Sequence, residues 1–118
     1  MKPLVSVVLP VHNGGAYLAQ AVTSILSQTF DNLELILVDD HSSDGAASAL
    51  DKSDPRLSVF NSNGEGVVDA FNTGFAHSQG EFIARMDADD ISLSQRLQCQ
   101  LDYLHRDPSV DIAGSCVE

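Results

Sequence analysis

Basic residues are scarce in this chain: six Lys and Arg stand against 17 Asp and Glu in 118 residues, a formal charge of -11. A nucleic-acid surface needs clustered Lys and Arg to meet phosphate, so that partner class is excluded. The only lysines are Lys2 and Lys52, and neither belongs to a Gly-rich phosphate loop, so an anionic ligand would need a cation between itself and the protein. No apolar run approaches the roughly 20 residues of a membrane span, and Met1-Lys2-Pro3 leads into a strand-like run rather than a signal peptide. The expectation is a soluble, cytoplasmic chain without a membrane span. Cysteine is nearly absent: Cys99 and Cys116 have no metal-ligand spacing and are too few for a disulfide framework, so they read as reduced thiols. The histidines at 12, 41, 77 and 105 share no metal spacing either; only His12 and His41 fall near the acidic segments described below.

Linkers, repeats and low-complexity stretches are also missing. With 43% apolar content, residues 1–118 read as a single domain, large enough for a packed core and small for a two-substrate enzyme. Leu4 to Leu9 is apolar except for Ser6, and Pro10 with Asn13-Gly14-Gly15 ends it as a buried strand feeding a loop. Leu18, Ala21, Val22, Ile25 and Leu26 recur at helical spacing. A second strand covers Leu33 to Val38, a short helix Ala46 to Lys52, and a third strand Leu57 to Phe60. Val67, Val68, Phe71 and Phe75 mark a helix ending near Gly80, followed by a fourth strand from Phe82 to Met86. Leu93, Leu97, Leu101 and Leu104 form the core stripe of a last helix. The run starting at Val110 then reaches Glu118 with no cap or covering helix, so the chain is expected to be cut short. Strand and helix alternate and the strands are nearly continuous in apolar residues. That implies an α/β fold with a parallel sheet covered on both faces.

Two acidic clusters close strands: Asp39-Asp40 after Leu35-Ile36-Leu37-Val38, and Asp87-Ala88-Asp89-Asp90 after Phe82 to Met86. In an open parallel sheet, ligands bind outside the carboxyl ends of the strands where strand order reverses. Carboxylates gathered there repel one another and are costly to desolvate, which a divalent cation and its ligand would offset. Residues i and i+2 of an extended segment point the same way about 6.6 Å apart, so Asp87 and Asp89 can address one ion, Mg2+ or Mn2+ by their hard oxygens. The matching ligand is a diphosphate.

Bland readings stand beside these. Ser42, Ser43 and Asp44 suit a helix cap and Asx turn. Asp40, Ser42, Asp44, Gly45 and Asp51 brush a calcium-loop pattern, but that loop sits between two helices and this one follows a strand. Gly64-Glu65-Gly66-Val67-Val68-Asp69 imitates a dinucleotide fingerprint, yet Asp69 replaces the small residue where helix meets sheet. Arg85 either pairs with a crevice carboxylate or reaches phosphate.

In order and spacing, Pro10-Val11-His12-Asn13, Val38 to Gly45, Gly66 to Gly74 and Gly80 to Asp90 together resemble glycosyltransferase family 2, inverting enzymes of the GT-A fold. The resemblance implies a Rossmann-like three-layer sandwich with a mainly parallel sheet, carrying the donor-binding part and lacking the acceptor-binding part. It implies a hexosyltransferase-type reaction, within cell-envelope polysaccharide synthesis, using a nucleotide-sugar donor such as a UDP-sugar and a hydroxyl acceptor. By resemblance, Pro10, Val11, Asn13, Asp40, Gly66, Arg85 and Asp87 contact the nucleotide, and Asp87 and Asp89 form the Asp-x-Asp motif that holds Mn2+ or Mg2+. The family's catalytic base comes from later in the fold, beyond Glu118, so the isolated chain is expected to bind donor and transfer sugar poorly or not at all.

Three rival readings are a phosphoryl-receiver signalling domain, an Asp-nucleophile phosphatase and a non-catalytic nucleotide-binding module. The receiver's acidic pair should follow the first strand, with a Lys after the acceptor Asp; here the pair follows the second and no such Lys exists. The phosphatase motif should also close the first strand, with Thr or Val where this chain has Ile91. The non-catalytic module leads only if the native chain ends at Glu118. An uncovered sheet edge could also accept a second copy.

Overall fold

The computed structural model describes residues 4–13 and 15–86, apart from the side chains at 16 and 47. The expected last helix and the run from Val110 lie outside the described residues. Among the described residues four strands alternate with three helices: β1 (Val5–Val11), α1 (Ala16–Leu26), β2 (Leu33–Asp39), α2 (Ala46–Ala49), β3 (Leu57–Asn61), α3 (Gly66–His77) and β4 (Phe82–Arg85). All strand pairs are parallel and the sheet order is β3-β2-β1-β4. The chain moves outward from β1 to β3 and then returns to the other side of β1. The reversal therefore lies between β1 and β4, which is where open sheets of this kind take ligands. The order also excludes the receiver reading, whose 2-1-3-4-5 sheet sets β3 rather than β4 beside β1.

Alternation along the strands divides the core. Val5, Val7, Leu9 and Val11 of β1 and Leu33, Leu35 and Leu37 of β2 face α1, whose Leu18, Ala21, Val22 and Ile25 are buried against them. On the other face, Ile36 and Val38 meet Ala70 of α3, with Phe60 packed alongside. Helices on both sides of the sheet make the expected three layers. Among the described residues no helix is long and apolar enough to cross a membrane.

β1 runs through Pro10 to Val11 rather than stopping before the proline. In a parallel ladder successive residues turn their backbone groups to opposite neighbours. The carbonyls of Leu4 and Val8 accept the N–H groups of Phe82 and Met86, so even-numbered β1 residues address β4, while Val11 accepts Asp40 N–H on the β2 side. Pro10 therefore directs its missing N–H toward β4 just past the last pair, Val8 with Arg85, where no strand bond is lost.

Ser6, the polar interruption in β1, is fully buried and fully used. Its Oγ donates to Glu34 Oε2 at 2.5 Å and accepts Gly80 N–H at 2.7 Å, while Gln79 N–H reaches the same Glu34 oxygen at 2.7 Å. The network ties the end of the α3–β4 connection to the sheet.

α3 corrects one expectation. The helix exists, but Val67, Val68 and Phe75 are exposed, and the residues buried against the sheet are Ala70, Thr73 and Gly74. Val8 and Val38 already fill that face, so only small side chains let the helix lie down. A Cβ at Gly74 would come 2.5 Å from Val8 Cγ1 and 3.1 Å from Val38 Cγ2. α2 is also shorter than expected, one turn ending at Ala49. His77 is exposed and stacks on Phe60 with ring centroids 3.9 Å apart.

Candidate functional site

Three loops meet at the carboxyl ends of the strands, following β1, β2 and β3. Asp40 joins them. Its N–H donates to Val11 O at 2.7 Å, its carbonyl accepts from His12 Nδ1 at 2.6 Å, and its Oδ2 accepts Gly66 N–H at 3.0 Å. The remaining carboxylate oxygen, Oδ1, is buried and has no hydrogen-bond partner among the described residues. His41 Nε2 is 4.0 Å from it and donates instead to Gly64 O at 2.8 Å. A buried carboxylate oxygen without a donor is costly, and the loops hold it in place despite that.

The β1–α1 and β2–α2 loops are stitched by their own polar groups. Asn13 N–H donates to Ser42 Oγ at 2.8 Å, Ser43 N–H returns to Asn13 Oδ1 at 2.8 Å, and Ser42 N–H reaches Asp39 Oδ1 at 3.1 Å. Asp44 accepts Ala46 N–H and Gly15 N–H at 3.0 and 2.9 Å, and these two bonds hold its carboxyl below the ordinary carboxylate value. The cap-and-turn reading of Ser42, Ser43 and Asp44 thus matches the hydrogen bonds they make. Asn13 and His41 have φ of 53° and 57°, the left-handed region, where Asn and His are among the tolerated residues.

Residues 6–118 match glycosyl transferase family 2 over nearly the whole chain. The chain belongs to that family. It is 34% identical over 120 residues to an uncharacterized glycosyltransferase of Haemophilus influenzae, covering 98% of this chain and 37% of that protein. It is similar in structure to the mannosyltransferase PcManGT of Pyrobaculum calidifontis in complex with GDP-Man and Mn2+, with TM-score 0.81 and 28% identity over 93% of this chain and 34% of the other. It is likewise similar to a fragment of S. aureus TarS in complex with UDP-GlcNAc, with TM-score 0.73 and 27% identity over 90% of this chain and 32% of the other. The chain thus spans about a third of the length of the relative and of these structures, and its sheet and helices have the GT-A fold of glycosyl transferase family 2.

Of the residues named from the family resemblance, Pro10, Val11, Asn13, Asp40 and Gly66 gather at the loop junction. Val11 turns its side chain into the core with α1, and its carbonyl is taken by Asp40, so its contribution there is to backbone geometry. Asn13 Oδ1 is likewise engaged by Ser43. Gly66 has φ 90°, a conformation that favours glycine, and this aims its N–H at Asp40. Arg85 is exposed at the end of β4, on the α3 side by alternation with Ala84, which packs on the α1 side. Asp87 and Asp89 lie outside the described residues. Met86 N–H bonds Val8 O at 3.1 Å, the last described bond between the β4 segment and β1. Among the described residues, no group of three His, Cys, Asp or Glu side chains could hold a metal ion. Family motifs did not single out His12 and His41; their signal was position, directly beside the strand tips.

Proposed function

We propose that the chain is the donor-binding part of a glycosyltransferase and holds a nucleoside-diphosphate sugar where the strand order reverses. The observation that carries this reading is the buried Oδ1 of Asp40, which has no donor among the described residues while Oδ2 is fixed by Gly66. A nucleobase N–H or ribose hydroxyl entering between the loops supplies that donor. The bound states of the structural neighbours support the ligand class: TarS with UDP-GlcNAc and PcManGT with GDP-Man and Mn2+. We assign UDP as the first nucleotide to test. Pro10 and the loops fixed by Asn13 and Gly66 border the nucleoside, and Arg85 reaches toward the diphosphate.

Asp87 and Asp89, the hard oxygen donors that follow β4, would hold Mn2+ or Mg2+. Such an ion, when bound, supplies charge neutralisation at the departing diphosphate. The reaction we propose is inverting: an acceptor hydroxyl attacks the anomeric carbon, the bond to the diphosphate oxygen breaks, and a carboxylate base takes the hydroxyl proton. That base belongs to an acceptor-binding part outside residues 1–118, so this chain binds donor without efficient transfer. Titration calorimetry with UDP, with and without Mn2+, tests the reading. Saturable binding strengthened by Mn2+, with the increment lost in Asp87→Asn and Asp89→Asn, supports it; no heat in either condition refutes it.

A further inference from the structure

We infer that His41 is a positioning residue for the nucleotide, holding the β3–α3 loop so that the Asp40 carboxylate is fixed through one oxygen and available through the other. The inference rests on the nucleotide-binding reading above. Two independent observations carry it. First, His41 occupies left-handed backbone at φ 57°, a conformation that His tolerates and glycine favours, so replacement by glycine keeps the turn while removing the imidazole. Second, that imidazole spans two loops: Nε2 donates to Gly64 O at 2.8 Å, and two residues on, Gly66 N–H donates to Asp40 Oδ2 at 3.0 Å.

The two bonds close a ring of contacts. The β2–α2 loop holds the β3–α3 loop through His41, and the β3–α3 loop holds Asp40 through Gly66. Asp40 and His41 are adjacent, so the loop cannot swing away without losing both bonds. Preorganisation of this kind lowers the ordering cost of binding. The side chain of His41 is 59% exposed, and its bond therefore adds little to folding stability while still restricting the loop.

This separation of backbone from side chain gives a clean test in the full chain. His41→Gly keeps the left-handed turn and removes the imidazole; His41→Gln keeps a donor at comparable reach. For His41→Gly, we expect an unchanged urea midpoint, faster hydrogen exchange at the Gly66 amide and UDP affinity lower by about 2- to 10-fold, the weight of one hydrogen bond. His41→Gln should recover most of the affinity and protection. His41→Gly binding UDP as tightly as the parent overturns the inference. If the parent itself binds no UDP, the nucleotide reading falls, and Gly66 exchange still decides the loop role: unchanged exchange in His41→Gly overturns that too.

Discussion

Asp40→Asn should separate binding from stability. In the folded protein, the charge-assisted bond from Gly66 N–H to Oδ2 at 3.0 Å contributes about 1.5–3 kcal/mol, and an amide oxygen in the same place about 1. The substitution therefore loses about 1 kcal/mol there. Against that stands Oδ1, buried without a donor, whose desolvation costs about 1–3 kcal/mol and is partly relieved when the charge is removed. The two changes nearly cancel, so the unfolding free energy should move by less than about 1 kcal/mol. Ligand binding has no such compensation. The acceptor is replaced by an NH2 group facing the ligand's own donor, and affinity should fall by about 10- to 150-fold, corresponding to 1.5–3 kcal/mol. Calorimetry with UDP and Mn2+ beside urea unfolding of both proteins reads the two quantities. Affinity within about twofold of the parent, with the fold intact, would refute the assignment of Asp40.

Other outcomes follow from the packing and charge of the fold. Gly74→Ala should destabilise by about 1–3 kcal/mol, because its Cβ meets Val8 and Val38, and a helix-propensity gain of at most about 1 kcal/mol does not offset this; the urea midpoint reads the difference. Arg56 grips Asp54 with two nitrogens and donates to the carbonyls of Leu26 and Asp31. Arg56→Ala should therefore cost about 1–3 kcal/mol in urea unfolding and leave UDP affinity unchanged, since these contacts lie at the amino ends of the strands. Asp44 is held below its ordinary value by the Ala46 and Gly15 amides, and Asp54 by Arg56, so the unfolded chain takes up these protons at higher pH than the folded one. Their stabilisation should be complete above the unfolded value near 3.8 and fade as pH falls through the lower folded values. Urea midpoints measured downward from pH 6 should therefore decline less steeply in Asp44→Asn and Asp54→Asn than in the parent.

The strands were legible because parallel strands buried on both faces need near-continuous apolar runs, as in Leu33 to Val38 with only Glu34 polar and Val5 to Leu9 with only Ser6 polar. The course of β1 past Pro10 was not, since it depends on which neighbour the missing N–H addresses and where β4 stops pairing. The existence of α3 was visible in its apolar spacing, but its orientation was hidden. Residues that let a helix approach a crowded sheet are small, so Ala70, Thr73 and Gly74 leave no apolar signature, while the large residues point outward. At the site, the carboxylate at the tip of β2 could be read from Val38-Asp39-Asp40. The use of Asn13 to hold Ser43 and the bonds from Arg56 to the carbonyls of Leu26 and Asp31 arise from tertiary contacts between distant residues. No local pattern announces them.

The central claim is that Asp40 completes its hydrogen bonding on a nucleotide. A crystal structure of the full chain grown with UDP and Mn2+ tests it most directly. The nucleoside is expected among the loops after β1, β2 and β3, with one of its N–H or O–H groups within about 3.2 Å of Asp40 Oδ1 and the cation on Asp87 and Asp89. A nucleotide bound elsewhere, with Asp40 Oδ1 still lacking a donor, would contradict it.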